Sequence, residues 1–478
     1  MAADRLPDRD RRRFLHVLAV AAAAAGTGCG LDAGEADTVE DVARIARTRV
    51  SAVAVPRSTQ QVAQLLADSE GAVSIGGARF SMGGQVAAPG SLHLDMRSLD
   101  RLLWLDAARR RVRVQAGMRW RDLQDHIDPH GLAVKVMQSY SNFSVGGSVS
   151  VNCHGRYVGR GALVNTIRAL RLVTAQGEVL DVDRQAQPSL FAAAIGGYGG
   201  IGVVTEVELD LDRNEPMRRE AERVGLSEYP AWFAERVAGD AGVILHNADL
   251  LPPDFDRPLA ISWRRTDQVP TVPARLVPRG GDYDREQNLT WATSELPLGD
   301  DVRDRFLTRR LLDEHPVVWR NHEASLDAAS LEPRTRAFST YLLQEYFIPV
   351  AAFGSFAREM ARILAAHEVN ALNVSIRHAG ADTTSLLAWA REEVFSFVLY
   401  HKQRQGLAAD ARAGAWTRRL IDAALAHGGT YYLPYRVHAT PEQFRNAYPA
   451  VDAFAATKRE VDPRQRLRNR LWDRYLPA

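Results

Sequence analysis

Val145-Gly146-Gly147-Ser148-Val149-Ser150-Val151-Asn152-Cys153-His154-Gly155 decides the reading of this chain. The glycine pair lets backbone approach a ligand closely, and the His-Gly that follows can set an imidazole beside that ligand's reactive end. A second glycine-rich turn lies upstream, Gly76-Gly77-Ala78-Arg79-Phe80-Ser81-Met82-Gly83-Gly84-Gln85, and a third downstream, Gly196-Gly197-Tyr198-Gly199-Gly200-Ile201-Gly202-Val203-Val204-Thr205. Any one of them alone reads equally well as a turn that needs positive φ. Three together point to one large cofactor.

Gly197, Gly199 and Gly202 also spell G-x-G-x-x-G. In a dinucleotide-binding βαβ unit that motif follows a strand and opens a helix, so that pyrophosphate meets the helix N-terminus. Here the order is reversed. Pro188 to Ile195 reads as a helix before the glycines, and Ile201 to Leu211 as a β-rich run after them. A nicotinamide-binding unit is therefore set aside.

The bulk composition is that of a globular protein, 46% hydrophobic and 25% charged, and 478 residues are too many for one ordinary domain. Lys+Arg 60 against Asp+Glu 58 leaves a net charge of +2, so no global field draws the chain to nucleic acid or an anionic membrane. Cys29 and Cys153 are the only cysteines. That excludes a disulfide framework if the N-terminus is processed at or beyond Cys29, and neither a CxxC pair nor His-Glu-x-x-His is present to mark a metal site.

The N-terminus departs from this pattern. Arg11-Arg12-Arg13-Phe14-Leu15 precedes an apolar run from Val17 to Ala25, too short to span a bilayer and suited to the apolar core of a signal peptide. The twin arginines resemble a Tat export signal, so residues 1–30 are expected to direct export, to a periplasmic or other extracytoplasmic location, with a buried N-terminal helix as the alternative. Gly26-Thr27-Gly28-Cys29 resembles a degenerate lipobox, with Gly26 where an apolar residue is expected. Cys29 is a candidate lipid-anchor site on that reading and an ordinary signal-peptide residue on the other.

Beyond a polar linker, Ser51 to Val55 reads as a strand stopped by Pro56, Ser58 with Gln61 as a capping box, and Val62, Leu65 and Leu66 as one face of a helix. Ala72 to Ile75 then runs as a strand into the first glycine turn, where missing side chains expose backbone N–H groups as a phosphate cradle requires. Leu170–Thr174 and Val179–Val182 flank Gln176-Gly177 as a hairpin, and Arg109-Arg110-Arg111 reads as the solvated end of another. After Asn214 the pattern turns to longer helices and strands, among them 342–347, 371–378 and 394–400.

In their order and spacing, the three turns resemble the FAD-binding (PCMH-type) domain of the vanillyl-alcohol-oxidase flavoprotein family. The resemblance covers residues 46–214, and Val461-Asp462-Pro463 to Asn469 resembles the family's closing segment. It implies an α+β fold: a two-part FAD-binding domain at 46–214, an α+β cap domain with an antiparallel sheet at 215–427, and a return to the FAD domain at 428–478. It implies FAD as cofactor. The first turn would supply Gly76, Gly77, Ala78, Arg79, Phe80, Ser81, Met82 and Gln85, and the central segment Ser144, Gly146, Gly147, Ser148, Asn152, Cys153, His154 and Gly155. Gly202, Val203 and Val204 would come from the third turn, and Asn469 from the return.

Many members carry a histidine in the first turn that bonds covalently to flavin. Phe80 stands there, or Arg79 if the register slips by one, so non-covalent FAD is expected. Within the family the chain resembles alditol and aldonolactone oxidases and decaprenylphosphoryl-ribose oxidase. The first two groups carry a Glu-x-Arg strand, matched here by Ser375-Ile376-Arg377, and a C-terminal lysine where this chain has Tyr435. The resemblance thus implies hydride transfer from an alcohol C–H to flavin, with Arg377 placing positive charge near that locus and Tyr435 or His154 accepting or relaying the proton. Gln344, Tyr346, His378, Tyr400 and Lys402 follow as secondary candidates, since strand alternation sends only half of them inward. A polyol, sugar, lactone or related alcohol is the expected substrate, with oxygen or a quinone as acceptor. A dehydrogenase of lipid-linked sugar alcohols and a flavin-binding protein without turnover remain the alternatives.

Overall fold

The computed structural model describes residues 38–45, 47–288, 308–332 and 335–477. The expected export segment, with Arg11, Arg12 and Cys29, lies outside the described residues. The described residues from Val39 onward belong to one compact unit.

Following β1 (Thr38–Glu40) and β2 (Arg47–Arg49), three short strands, β3 (Ala52–Ala54), β4 (Val73–Gly76) and β5 (Leu92–Asp95), form a parallel sheet in the order β3-β5-β4. Between β3 and β4 runs the helix Thr59–Asp68. Ser58 caps it by accepting from Gln61 N–H, while the Gln61 side chain accepts from Arg57 N–H at 2.7 Å and so leaves the expected box open. Val62 and Leu66 are buried with Val73, Leu94, Val203 and Leu467 in a small core of their own.

A six-stranded sheet follows from β6 (Leu102–Asp106), β7 (Arg111–Gln115), β8 (Leu132–Val134), β9 (Ile167–Val173), β10 (Val179–Asp183) and β11 (Val203–Arg213). Its order is β10-β9-β11-β7-β6, with β8 pairing β11. The β9–β10 hairpin turns at Gly177, whose φ of 86° favours glycine. The third glycine turn indeed follows a helix, Pro188–Ala194, and precedes a strand, β11, the reverse of the dinucleotide motif.

After Asn214 the remaining strands build one eight-stranded sheet: β12 (Pro216–Arg223), β13 (Val243–Leu250), β14 (Leu259–Arg265), β15 (Val317–Trp319), β16 (Ser339–Pro349), β17 (Ala371–Ala379), β18 (Val394–Arg404) and β19 (Thr430–Tyr431). The order is β15-β12-β14-β13-β17-β18-β16-β19, and its pairs are antiparallel. The helices Phe353–Ala366 and Leu407–Ala426 pack against it, Gln344 of β16 donating to Thr417 Oγ1 at 2.7 Å.

The closing segment returns to the first sheet. Val73 N–H donates to Arg466 O at 2.7 Å and Arg468 N–H to Val73 O at 2.9 Å. Buried Lys458 ties this return to the third glycine turn, donating from Nζ to Gly200 O (3.1 Å), Leu467 O (3.0 Å) and Asp462 Oδ2 (2.9 Å). Removing either charge alone strands the other in a dry interior, a loss of about 3–5 kcal/mol.

Candidate active site

A cavity of about 430 Å³ lies between the glycine turns and one face of the eight-stranded sheet. Its first wall is backbone. A Cβ on Gly77 would overlap Ser144 Oγ, and one on Gly146 would sit 2.6 Å from Ala116 Cβ and 3.0 Å from Ala116 O. Glycine is therefore required at Gly146, whose close neighbours are Ala116 Cβ and backbone, whereas at Gly77 a Cβ would force the Ser144 hydroxyl to turn aside. Arg79, at φ 62°, reaches across to Asp95 (3.1 Å) and His93 (3.3 Å), and burial, together with the Arg79 charge, lowers the His93 ring to about 4. The Phe80 ring packs on Phe143 with centroids 4.4 Å apart. Gln85 holds the turn to the C-terminal segment, donating to Leu433 O at 2.6 Å and Tyr435 O at 2.8 Å.

The second wall is made of side chains. Strand alternation turns Tyr341, Leu343 and Glu345 of β16 into the cavity, with Asn373, Ser375 and Arg377 of β17, Val398 and Tyr400 of β18, and Asn247 and Asp249 of β13. Glu345 is the hub. It receives His154 Nε2 at 2.5 Å and Ser396 Oγ at 2.5 Å on Oε1, and Tyr435 Oη at 3.2 Å on Oε2. Burial alone would push this carboxyl up, but the His154 ring, the Arg377 charge and Ser396 together hold it below the usual carboxylate range. An ionised carboxylate only accepts, so His154 Nε2 carries the hydrogen it shares. Burial and the Glu345 charge raise the Tyr435 phenol well above its ordinary value. Tyr435 is thus a donor that can pass a hydrogen to Glu345, rather than a free phenolate.

Of the residues expected to bind cofactor, Gly77, Ala78, Arg79, Phe80, Ser81, Met82 and Gln85 line the cavity. So do Ser144, Gly146, Gly147, Cys153, His154, Gly202, Val204 and Asn469. Five do not reach it and instead support the wall. Gly76 backs onto the His93 ring, Gly155 onto Met137 O, and Val203 sits in the small core. Ser148 Oγ bonds Trp120 Nε1 and Gln138 Oε1, both at 2.9 Å. Asn152 faces the opposite way, to Asp382 (2.8 Å) and Ser385 (3.1 Å).

Arg377 and Tyr435 line the cavity, as does Tyr400. The other secondary candidates do not: Gln344 and Tyr346 bond one another on the far face of β16, His378 turns to Glu393 at 2.7 Å, and Lys402 lies over the Tyr341 ring. Glu345 sits between Gln344 and Tyr346 in sequence, so the pattern marks the segment and leaves its parity open. Asp249 gives no signal, because Leu245-His246-Asn247-Ala248-Asp249-Leu250 carries polar residues on both faces.

The lining also carries buried polar atoms with no protein partner among the described residues: Arg79 Nε, Ser139 Oγ, His154 Nδ1 and Arg377 Nε. Buried polar groups are nearly always satisfied, so a polar ligand belongs here. Comparison with known proteins identifies it, since residues 50–183 match the FAD binding domain family. The chain carries an FAD-binding domain of the PCMH type. Alditol oxidase of a Streptomyces species is 33% identical over 159 residues, 33% of this chain and 38% of that protein. L-galactono-1,4-lactone dehydrogenase 1 of Oryza sativa is 34% identical over 116 residues, 24% of this chain and 20% of that protein. The matched stretch covers well under half of either relative. Decaprenylphosphoryl-beta-D-ribose oxidase of Mycolicibacterium smegmatis is 25% identical over 404 residues, 80% of this chain and 84% of that protein. The backbone wall and the unpartnered polar atoms fit the FAD that this domain binds.

Proposed function

We propose that the chain is an exported FAD-dependent oxidoreductase that oxidises a CH–OH group of a polyol, sugar, lactone or related alcohol. The reading is carried by Glu345, held ionised beside His154, Tyr435 and Arg377 on the wall that faces the FAD-binding turns. Bound FAD would supply the hydride acceptor, its N5. Tyr435 accepts the substrate's hydroxyl proton as its own hydrogen passes to Glu345, so the carboxylate ends the step protonated. His154 holds Glu345 in place, and the Arg377 guanidinium offsets the negative charge that develops. Ser375 and Tyr435 stand where the alditol and aldonolactone oxidases that the chain resembles carry a carboxylate and an amine, and Glu345 supplies a carboxylate from the same face of the sheet, across β18.

Phe80 offers no nucleophile at the usual attachment position, so FAD is held non-covalently, and acid should release all of it from the polypeptide. The decisive experiment is anaerobic addition of an alcohol panel to the holoprotein. Bleaching of the flavin absorbance by a CH–OH donor is the expected result, and a flavin that stays oxidised with every alcohol would leave a flavin-binding protein without turnover. Following the electrons to peroxide or to a quinone dye then separates oxidase from dehydrogenase. Export rests on the twin arginines alone. Arg11→Lys with Arg12→Lys should retain the protein in the cytoplasm, and Cys29→Ser should release any membrane-bound fraction if Cys29 is lipidated.

A further inference from the structure

One ionisable group of the cavity has no part in that proton path. Asp249 stands directly opposite Ser375 across the β13–β17 ladder, deep in the fold yet in contact with cavity space. The Ser375 hydroxyl bonds it, and Asn247 Nδ2 approaches at 3.5 Å from the same face of β13. Two arginines stand near. Arg156 is committed to Glu323 at 2.6 Å, whereas Arg377, two residues along the cavity face from Ser375, keeps a buried Nε with no protein partner among the described residues. Burial pushes the Asp249 carboxyl up while Ser375 and the two arginine charges hold it down, so adjacent strands present a carboxyl acceptor next to a cationic donor with unused capacity.

We propose that Asp249 and Arg377 form an acceptor–donor pair that takes a substrate hydroxyl beyond the reacting carbon, which selects uncharged polyhydroxy compounds over anionic ones. The assignment rests on the alcohol-oxidation reading and deepens it by naming the substrate class. A hydroxyl both donates and accepts, so it satisfies Asp249 and Arg377 together. A carboxylate or phosphate would satisfy Arg377 but lie against Asp249, with Glu345 on the same wall, and neither carboxylate has a hydrogen to offer it while ionised. Asn247, Asn373 and Ser375 extend the same face with neutral polar groups.

The test uses Asp249→Asn, which keeps the shape and removes the charge. D-sorbitol and D-gluconate share a carbon chain and differ in charge, and calorimetry on anaerobic, dithionite-reduced holoprotein measures their binding without turnover. Wild type is expected to prefer sorbitol. The variant should bind sorbitol about 10-fold to 100-fold more weakly, the worth of a hydrogen bond to a charged group, and its discrimination against gluconate should narrow. Equal sorbitol affinity in both proteins at matched FAD content overturns the pair, as does a wild type that binds gluconate as tightly as sorbitol or binds neither. Should the variant not hold FAD, Ser375→Ala removes a partner of Asp249 without touching its charge; weaker sorbitol binding supports the pair, and wild-type affinity overturns it. A wild-type flavin that sorbitol does not reduce, with binding as expected, defeats the oxidation reading and leaves the subsite standing.

Discussion

The two walls of the cavity are built from different material. The wall of glycine turns is backbone, shaped by what is missing at Gly77 and Gly146. The wall on the eight-stranded sheet is side chain, shaped by which alternate residues of β13, β16, β17 and β18 turn inward. Backbone walls fail all at once, because main chain pinned by its own hydrogen bonds, as Gly146 is to Ala116 and Ala116 to Thr205, cannot step aside for a new Cβ. Side-chain walls degrade by degrees, since each group contributes its own interaction.

The largest effect should come from the backbone wall. Gly146→Val drives a branched side chain into Ala116, whose carbonyl already accepts from Gly146 N–H at 2.7 Å, so the purified protein should carry essentially no flavin by absorbance. A stoichiometric yellow variant would show that this wall can yield. Glu345→Gln comes next. It keeps the hydrogen-bonded shape but removes the proton acceptor, and flavin reduction in stopped flow should slow by about 10²-fold to 10⁴-fold with FAD retained. Reduction at the wild-type rate would move the base elsewhere. For Arg377→Met a loss of about 10²-fold to 10³-fold is expected, roughly 2.7–4 kcal/mol, again at unchanged flavin content. Methionine keeps much of the stem's volume, so misfolding is not the expected cause of failure; an unchanged rate would place Arg377 outside the chemistry.

The smallest effect concerns the face of the sheet turned away from the cavity. Burial lowers the rings of His246 and His401 to about 3, and nearby histidines add to it. Both are neutral in the fold at neutral pH but take up protons near pH 6.5 once unfolded. Unfolding therefore binds protons between about pH 6.5 and 3, and stability falls with acidification through that window by up to about 1.4 kcal/mol per pH unit for each ring. His401 packs edge-on against Trp416 with centroids 5.0 Å apart, a contact phenylalanine can keep. His401→Phe should accordingly lose Tm less steeply than wild type from pH 6.5 to 5, with flavin reduction unaffected; parallel Tm profiles would remove this ring from the acid response.

Much of this molecule is legible without its fold. The Ser58 cap, the strand into Gly76, the hairpin at Gly177 and the helix before Gly196 depend on neighbours in the chain, and each is found in place. Asn152 and Ser148 show the limit of that reading. They lie in the most informative stretch of all, yet one faces Asp382 and the other Trp120: Ser148 sits within the helix Val145–Ser150, whereas Asn152 lies beyond its end with φ 46°, where the chain turns away. Lys458 gives no signal either, since a lysine in an amphipathic helix ordinarily faces solvent and only the return of 466–468 onto β4 encloses it.

By itself, the sequence located the three glycine turns, because clustered glycines mark positive φ or close approach, although the atoms approached, Ser144 beside Gly77 and Ala116 beside Gly146, come from distant segments. The resemblance to the flavoprotein family adds the expectation that Phe80, or Arg79 if the register slips by one, stands where a histidine would form a covalent flavin link, which acid release of FAD tests. Only the tertiary structure decided the chemistry of the opposite wall. Whether Gln344 or Glu345 meets the cavity depends on how β16 registers between β18 and β19, and Asp249 stands opposite Ser375 only because β13 pairs with β17 across more than a hundred residues of intervening chain. Alternation has a period of two and leaves two equal choices, and it is burial against the helices Phe353–Ala366 and Leu407–Ala426 on one side that commits the other side to the ligand.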